Sequence, residues 1–464
     1  MKKIFLAGCI AATSLLPAWA GGLMTNTNQH TAFNRMFARG ASIDIDGVYS
    51  NPAGLAYMSD GFHVSLTIQS AFQNRDINAV SPLFKSQANP DGKEFFHGAA
   101  TAPVIPSAQF AWKKNRLAVS AGFAVVGGGG KCKFESGIPQ FSTAAIGLIS
   151  QESMGMLTRD MYNINTAMEG RQYIYGITAG VSYKFHENFS AYVGLRGNIS
   201  TGGYKGHLNV EVKDGVPEQL IKGLVAKGMS VEQATQTVTA MGKKLAENKI
   251  NLDCNQSGGG VTPIIGVDAK IGNLNLSAKY EFITKITLKN STKVLECPEA
   301  AKAMMAAYED GVKTPADMPA MLAVSAGYQF IPNLRANVEF HYFDDKHAKM
   351  AGDKQKYLTS GTFEYLGGIE WDIIKYLTVS GGFQITRYGL SDDFQSDASF
   401  SCNSYSLGFG ARVNITSKLS ADLAYFWTTY KDYTKTTLYL DEVPVTSVYS
   451  RTNKVLGISL NYNF

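Results

Sequence analysis

The stretch 189-FSAYVGLRGNIS-200 decides the fold. Phe189, Ala191, Val193, Leu195 and Ile199 share one face, and Ser190, Tyr192, Arg196, Asn198 and Ser200 share the other. A period of two over this length is a β-strand signature, because successive side chains of a strand point to opposite sides. The same alternation recurs in 274-LNLSAKYEF-282, 334-LRANVEFHY-342 and 456-LGISLNYNF-464. Charged and amide residues occupy the polar face each time.

Working outward, fourteen such segments are predicted, near residues 62–74, 103–113, 116–129, 171–185, 188–213, 261–271, 273–289, 320–331, 333–346, 361–372, 375–389, 402–415, 417–431 and 448–464. Very short turns, such as Gly272-Asn273 and Pro332-Asn333, alternate with long loops. Two architectures accommodate the pattern. In a water-soluble sandwich the apolar face is the core. In a transmembrane barrel it meets lipid while the polar face lines the lumen. The even strand count and the short–long alternation of connections favour the barrel, as do aromatic residues near strand ends (Trp112, Tyr183, Phe185, Phe330, Trp371, Tyr376, Trp427, Tyr430). A barrel in hydrocarbon must also close, since an open edge leaves backbone groups without partners. The expected fold is therefore an all-β, 14-strand antiparallel transmembrane barrel.

Composition agrees. Among 464 residues there are 46 Gly, 23 Tyr and 25 Phe, and only 17% are charged, a mixture suited to strands and tight bends rather than helices. The first 20 residues read as a signal peptide, with Lys2-Lys3, an apolar run from Ile4 to Leu16 and an Ala18-Trp19-Ala20 cleavage site. Without Lys2 and Lys3, 41 basic residues face 38 acidic ones, an excess too small and dispersed for nucleic-acid binding. An exported chain is expected, residing in the outer membrane of a Gram-negative cell as a monomer in contact with its lipid. Helical signals appear in two long loops, at about 214–250 and 298–312. Ser230 and Gln233 form a capping box there, and Val231, Ala234, Val238, Met241 and Leu245 make an apolar stripe.

Chemistry-bearing motifs are sparse. The mature chain has four cysteines, Cys132, Cys254, Cys297 and Cys402, all expected on the outer side, and an even number in an oxidising compartment suggests at least one disulfide of undetermined pairing. His341, Asp344, Asp345 and His347 lack the spacing of a metal site. The run 127-GGGGK-131 fails as a phosphate loop, because Val125 and Cys132 stand where Gly and Ser or Thr belong. Gly127, Gly128, Gly129 and Gly130 read better as a distortion of the third strand, placed near its outer end. No nucleophile motif, catalytic residue or cofactor site is recognised. Transport or binding fits better than catalysis.

About 40 residues precede the first strand, ending in 51-NPAGLA-56. This segment, with Ala41-Ser42 and Tyr49 before it, resembles the N-terminal signature of the FadL-type outer-membrane transporters of long-chain fatty acids and other hydrophobic compounds. The strand count, the helical third and fourth loops and the C-terminal Phe464 extend the resemblance over nearly the whole chain. It implies a hatch at 21–61 inside a barrel at 62–464, with the hatch motif on Asn51, Pro52, Ala53 and Gly54. It also implies passive uptake of a hydrophobic ligand, with exit beside a distorted third strand. A fatty acid further requires a cation or hydrogen-bond donor for its carboxylate. Lumen-facing Arg196, Lys279, Arg335 and Arg412 are the candidates, unless a network with Glu281, Glu339, Glu364, Glu370 or Asp422 absorbs them. A general porin and a surface adhesin or receptor are the competing functions. A packed hatch would argue against the open pore.

Overall fold

The computed structural model describes residues 23–439 and 442–464; the signal peptide expected at 1–20 lies outside them. Seventeen hydrogen-bonded segments form one antiparallel sheet. Three wall strands are each built from two successive segments, which leaves 14 strands around the barrel. These are β1 (Gly61–Val80), β2 (Lys93–Lys114), β3 (Leu117–Phe134), β4 (Tyr162–His186), β5 (Phe189–Val212), β6 (Ile250–Ile271), β7 (Leu274–Glu281 with Thr287–Glu296) and β8 (Lys313–Pro315 with Met321–Ile331). They continue as β9 (Leu334–Phe343), β10 (Thr362–Ile374), β11 (Leu377–Arg387), β12 (Ser404–Asn414), β13 (Leu419–Tyr430 with Tyr433–Tyr439) and β14 (Val443–Asn463). The sheet closes because β1 pairs on one side with β2, Phe62 opposite Trp112, and on the other with β14, His63 opposite Asn463.

Burial settles which face meets lipid. Leu195 is 56% exposed while its neighbour Arg196 is 2% exposed. Val193, Ile199, Leu456, Ile458 and Leu460 likewise point outward, and Ser190, Asn198 and Ser200 are buried. An apolar exterior over a polar interior is the inverse of a sandwich and is what hydrocarbon solvent selects. At the rim with the short turns, Phe62, Tyr183, Phe185, Phe189, Phe330, Trp371, Tyr376 and Phe464 form the exposed aromatic girdle. Tyr430, expected in a girdle, instead turns into the lumen, where Arg451 lies over its ring.

Several strands run well past their sequence-predicted ends, among them β2, β3, β4 and β14. Their extensions carry the outer loops as a cap, built around Phe96, Phe134, Ile149, Phe400 and Tyr449. The cap holds the predicted helices, α3 (Val216–Ala226) and α4 (Val231–Glu247), the latter with its capping box in place. It also holds α2 (Pro139–Glu152), which the sequence reading missed. The helical signal at about 298–312 is broken into single turns, Glu299–Ala301, Lys302–Met305 and Ala306–Tyr308.

Residues 23–56 lie inside the barrel, and the chain reaches the rim at Ser59 and Asp60, which are exposed. A short helix, α1 (Thr31–Met36), is buried at every position, and two 3-10 turns follow, Ile45–Val48 and Pro52–Tyr57. The lumen is therefore filled by its own N-terminal segment.

Candidate functional site

The hatch is fixed to the wall at its exit by the Asn-Pro-Ala-Gly motif. Asn51 Oδ1 accepts from the Gly54 N–H at 3.1 Å, capping the turn that Pro52 opens, and Asn51 Nδ2 donates to Asp268 Oδ2 at 2.6 Å on β6. Ser182 on β4 donates to the Pro52 carbonyl and Ser190 on β5 to the Ala53 carbonyl. Gly54 leaves room for this cap, since a Cβ there would stand 2.4 Å from Asn51 Nδ2 and push the amide away.

A buried ion network holds the middle of the hatch. Arg35 pairs with Glu370 at 2.5 Å and with Asp422 at 3.1 Å, and Arg39 pairs with Asp46 at 2.7 Å and with Glu370 at 3.3 Å. The four sequence-predicted carboxylate binders join such networks. Arg335 pairs with Glu370 and Asp372, Arg412 with Asp422 and Asp44, and Arg196 and Lys279 both with Glu281. Each already faces a protein carboxylate, so the alternative stated for them, charge neutralisation, describes their contacts. Below the hatch, on the short-turn side, Arg39, Asp44, Arg335, Glu370 and Arg412 line a charged vestibule of about 960 Å³ of open space.

The wall is broken between β2 and β3. Their pairing runs from Lys114–Leu117 to Ala108–Phe123, stops, and resumes at Ala100–Cys132. On the other flank β3 bulges against β4 at Val125/Gly127 and at Gly128/Gly130. Gly128 and Gly130 adopt positive φ, +81° and +74°, which only glycine takes cheaply. The sequence reading placed these glycines near the outer rim. The unpaired part of β2 instead lies beside Ile68–Phe72 of β1, within the apolar band, because β3 continues to Phe134. A shallow crevice beside Ala71, Gln73, Ala102, Gly129 and Gly130, with no room for a water molecule, marks the break.

The first described residues of the hatch lie against this break. The Gly128 N–H donates to the Met24 carbonyl at 3.1 Å, the Asn26 N–H donates to the Val126 carbonyl at 2.9 Å, and Thr25 bridges Gly127. A Cβ on Gly127 would stand 2.2 Å from the Met24 carbonyl, so glycine is what admits the hatch so close. The Leu23 N–H donates to Asp345 Oδ1 at 3.2 Å.

Above Met24 opens a cleft with about 700 Å³ of open space, solvent-connected part included, lined among others by Met24, Tyr204, Leu288, Tyr308, Met350 and Arg171. Met24, Leu288 and Met350 continue downward into an apolar cluster with Leu23, Val126, Ile174, Leu358, Tyr388 and Phe394. A second, largely apolar cleft of about 490 Å³ lies beside it, between Phe141, Met168, Leu208, Leu252 and Met305. At the cluster's edge stands Lys354, which sequence reasoning missed. Its Nζ is buried, has no hydrogen-bond partner among the described residues, and sits 4.6 Å from the Phe394 ring centroid. Burial, reinforced by Lys435, pushes its ammonium down to about 7. The only sequence signal was a lysine inside 351-AGDKQKY-357, a polar run that reads as solvated loop.

The four cysteines are free thiols, not the bridge the sequence suggested. Cys132 and Cys402 pack in the outer cap, while Cys254 lies with Ala301, Met305 and Tyr308, with Cys297 at that cluster's edge. They behave there as small apolar side chains.

These features define a class, an outer-membrane β-barrel plugged by its own N-terminal hatch, with an apolar cleft on one side of the plug and a charged vestibule on the other. A family model described as a porin subfamily matches residues 138–369, half of the chain, and the chain belongs to that family. Its architecture is that of the FadL-type barrels. It is similar to the crystal structure of a Pseudomonas aeruginosa FadL homologue, at 14% identity and a TM-score of 0.63, covering 98% of this chain and 100% of that one. The Pseudomonas putida toluene transporter TodX aligns at 14% identity and a TM-score of 0.53, over 97% and 100% of the two chains. The Ralstonia pickettii toluene transporter TbuX aligns at 14% identity and 0.52, over 91% and 94%. No curated protein sequence matches.

Proposed function

We propose that this protein takes up hydrophobic compounds passively across the outer membrane of a Gram-negative cell, and that its principal substrates are amphiphiles with an anionic head, such as long-chain fatty acids. The observation that carries this reading is the contact between the hatch and the broken wall. An apolar cleft leads to Met24, and Met24 itself is hydrogen-bonded to the glycine run at the opening beside β3. The signal peptide at 1–20 and the hatch at 21–61 belong to the same reading.

Two physical arguments support the route. A greasy molecule gains by burial in the cluster around Met24, Met350 and Phe394, and would lose that gain in the charged vestibule below. The sideways path through the break leads from one apolar medium to another. The solved structures of similar fold include transporters described for toluene, which supports the hydrophobic class. Lys354 supports the anionic head, because a buried ammonium without a hydrogen-bond partner is satisfied by a carboxylate. Nothing in the described cleft suggests bond-making chemistry, and the reading is of a conduit rather than an enzyme. A general porin fits poorly, since the hatch occupies the lumen.

The test is uptake of labelled oleate by cells with and without the protein, with toluene as the neutral comparison. Uptake of oleate above that of the lacking strain is expected. Equal uptake of both compounds in both strains overturns the reading, and facilitated toluene with unaided oleate restricts it to neutral hydrocarbons.

A further inference from the structure

We propose that the outward face of β7 and β8, just beyond the apolar band on the long-loop side, binds the phosphate groups of a phosphorylated glycolipid of the outer leaflet. The inference rests on the outer-membrane location proposed above and is independent of the compound that the barrel carries.

β7 changes phase between its two segments. In the first, Lys279 and Glu281 are buried in the lumen; beyond it, Ile286, Leu288 and Asn290 are the buried residues. Inward side chains are thus odd-numbered before the change and even-numbered after it. Ile286 and Leu288 belong to the apolar cluster under the outer cleft, and Leu288 also lines that cleft. Successive strand residues point to opposite faces, so Lys285, Thr287 and Lys289 turn out of the barrel, and all three are exposed. Lys293, at a bulge further along, is exposed as well. On β8, Lys313 stands directly opposite Lys289 and is also exposed.

The neighbours set the height of this patch. Tyr280 and Phe282 form an edge-to-face pair with ring centroids 4.8 Å apart, and Ile265 on β6 and Leu322 on β8 lie opposite Tyr280, both exposed. On β7 the lysines begin where this lipid-facing surface ends. Aromatic rings followed by cations mark the boundary between hydrocarbon and headgroups.

None of the four ammonium groups forms an ion pair among the described residues. The neighbouring carboxylates are engaged elsewhere: Asp253 pairs with Lys205 at 2.9 Å, Glu296 with Lys249 at 3.7 Å, and Asp310 Oδ1 accepts from the Thr292 N–H at 3.0 Å. Like charges directly opposite across a strand pair are unfavourable, and an anion received between Lys289 and Lys313 removes that repulsion. Along the strand Lys285, Lys289 and Lys293 recur about every 13 Å. A headgroup with two separated phosphates meets more of them than one with a single phosphate. Basic clusters at a membrane boundary recognise anionic headgroups in this way.

The experiment follows lipid binding to the full-length protein in detergent by native mass spectrometry. It compares wild type, a Lys289→Gln/Lys313→Gln double variant and a control, Lys222→Gln/Lys227→Gln, at exposed positions of the cap. Lipid A with both phosphates should bind wild type and control alike, and on the order of tenfold more weakly the Lys289→Gln/Lys313→Gln variant. Lipid A stripped of its phosphates should not be retained. Equal binding by wild type and double variant overturns the inference, and so does equal retention of the stripped lipid. Phosphatidylglycerol held as tightly as lipid A, or lipid A displaced by millimolar inorganic phosphate, overturns the assignment to a glycolipid. Should the double variant fail to assemble, Lys289→Gln alone is measured; binding weakened severalfold supports the site, and unchanged binding overturns it. Oleate uptake by cells carrying the variant should equal that of wild type, so failure of this site and failure of the transport reading are distinguishable.

Discussion

Met24 and Gly128 are joined backbone to backbone, the glycine N–H donating to the Met24 carbonyl at 3.1 Å, and so the beginning of the plug is a rung of the broken wall. Plug and opening are therefore mechanically one unit. Movement of either disturbs the other, and four predictions follow from the contacts around them.

A side chain at Gly127 separates that unit. Gly127→Val places a Cβ 2.2 Å from the Met24 carbonyl and forces the hatch strand away. Loss of the two backbone hydrogen bonds there should cost about 1–3 kcal/mol locally. Faster amide exchange at Asn26 and Gly128 is expected, with no change at Asn461 on the opposite side of β1. Unchanged exchange at both glycine-run contacts would refute the coupling.

Lys354 gives a pH signature. Its ammonium is held at about 7, below the ordinary lysine value, so burial opposes the charged form. That penalty on folding is complete below about pH 7 and fades as pH rises toward the ordinary value. Lys354→Met should accordingly raise the unfolding temperature, and by more at pH 6 than at pH 10. Oleate affinity should fall on the order of tenfold between pH 7 and pH 9 in wild type, as the ammonium is lost, and stay flat in the variant. A pH-independent wild-type affinity would remove Lys354 from the site.

Asn51→Ala removes the cap on the Pro52 turn and the donor to Asp268. The expected loss is about 1–3 kcal/mol, from a cap and a buried hydrogen bond together. Asn275 still serves Asp268, which keeps the cost moderate. The midpoint of heat-induced gel-mobility change should drop, and release of the hatch exit should let small polar solutes leak. Wild-type values for both would argue that the turn holds without its cap.

Glu370→Gln is the severe case. Glu370 faces Arg35, Arg39 and Arg335 at once, and its loss leaves a cluster of buried cations short of a counter-charge. Breaking a buried pair of this kind costs about 3–5 kcal/mol. Hatch displacement, read as conductance for small ions in planar bilayers, should rise well above wild type. A silent variant would mean that Asp46 and Asp422 alone fix the hatch.

How far the sequence reaches depends on which solvent each residue meets. The alternation at Phe189–Ser200 was legible because a strand's period of two survives exchange of an apolar core for lipid. Asn51-Pro52 was legible because cap and proline act locally. The helix α2 was not, since its buried Ala145, Ile146, Leu148 and Ile149 follow one another instead of leaving a polar face. The glycines of β3 were recognised but misplaced along the strand, because nothing local announces that β2 and β3 continue beyond the bilayer into the cap. Lys354 was invisible for a related reason. Gly352 and Asp353 take positive φ and bring a polar run back over Phe394, a burial made by tertiary packing alone.

The opposed faces of the plug have one more consequence. Above Met24 the surroundings are oily, and below Arg39 they are ionic. A solute that keeps its water shell finds no reason to descend past the loops, and one that sheds it finds no reason to continue toward the periplasm. On the function proposed here, the barrel sorts by hydration rather than by size.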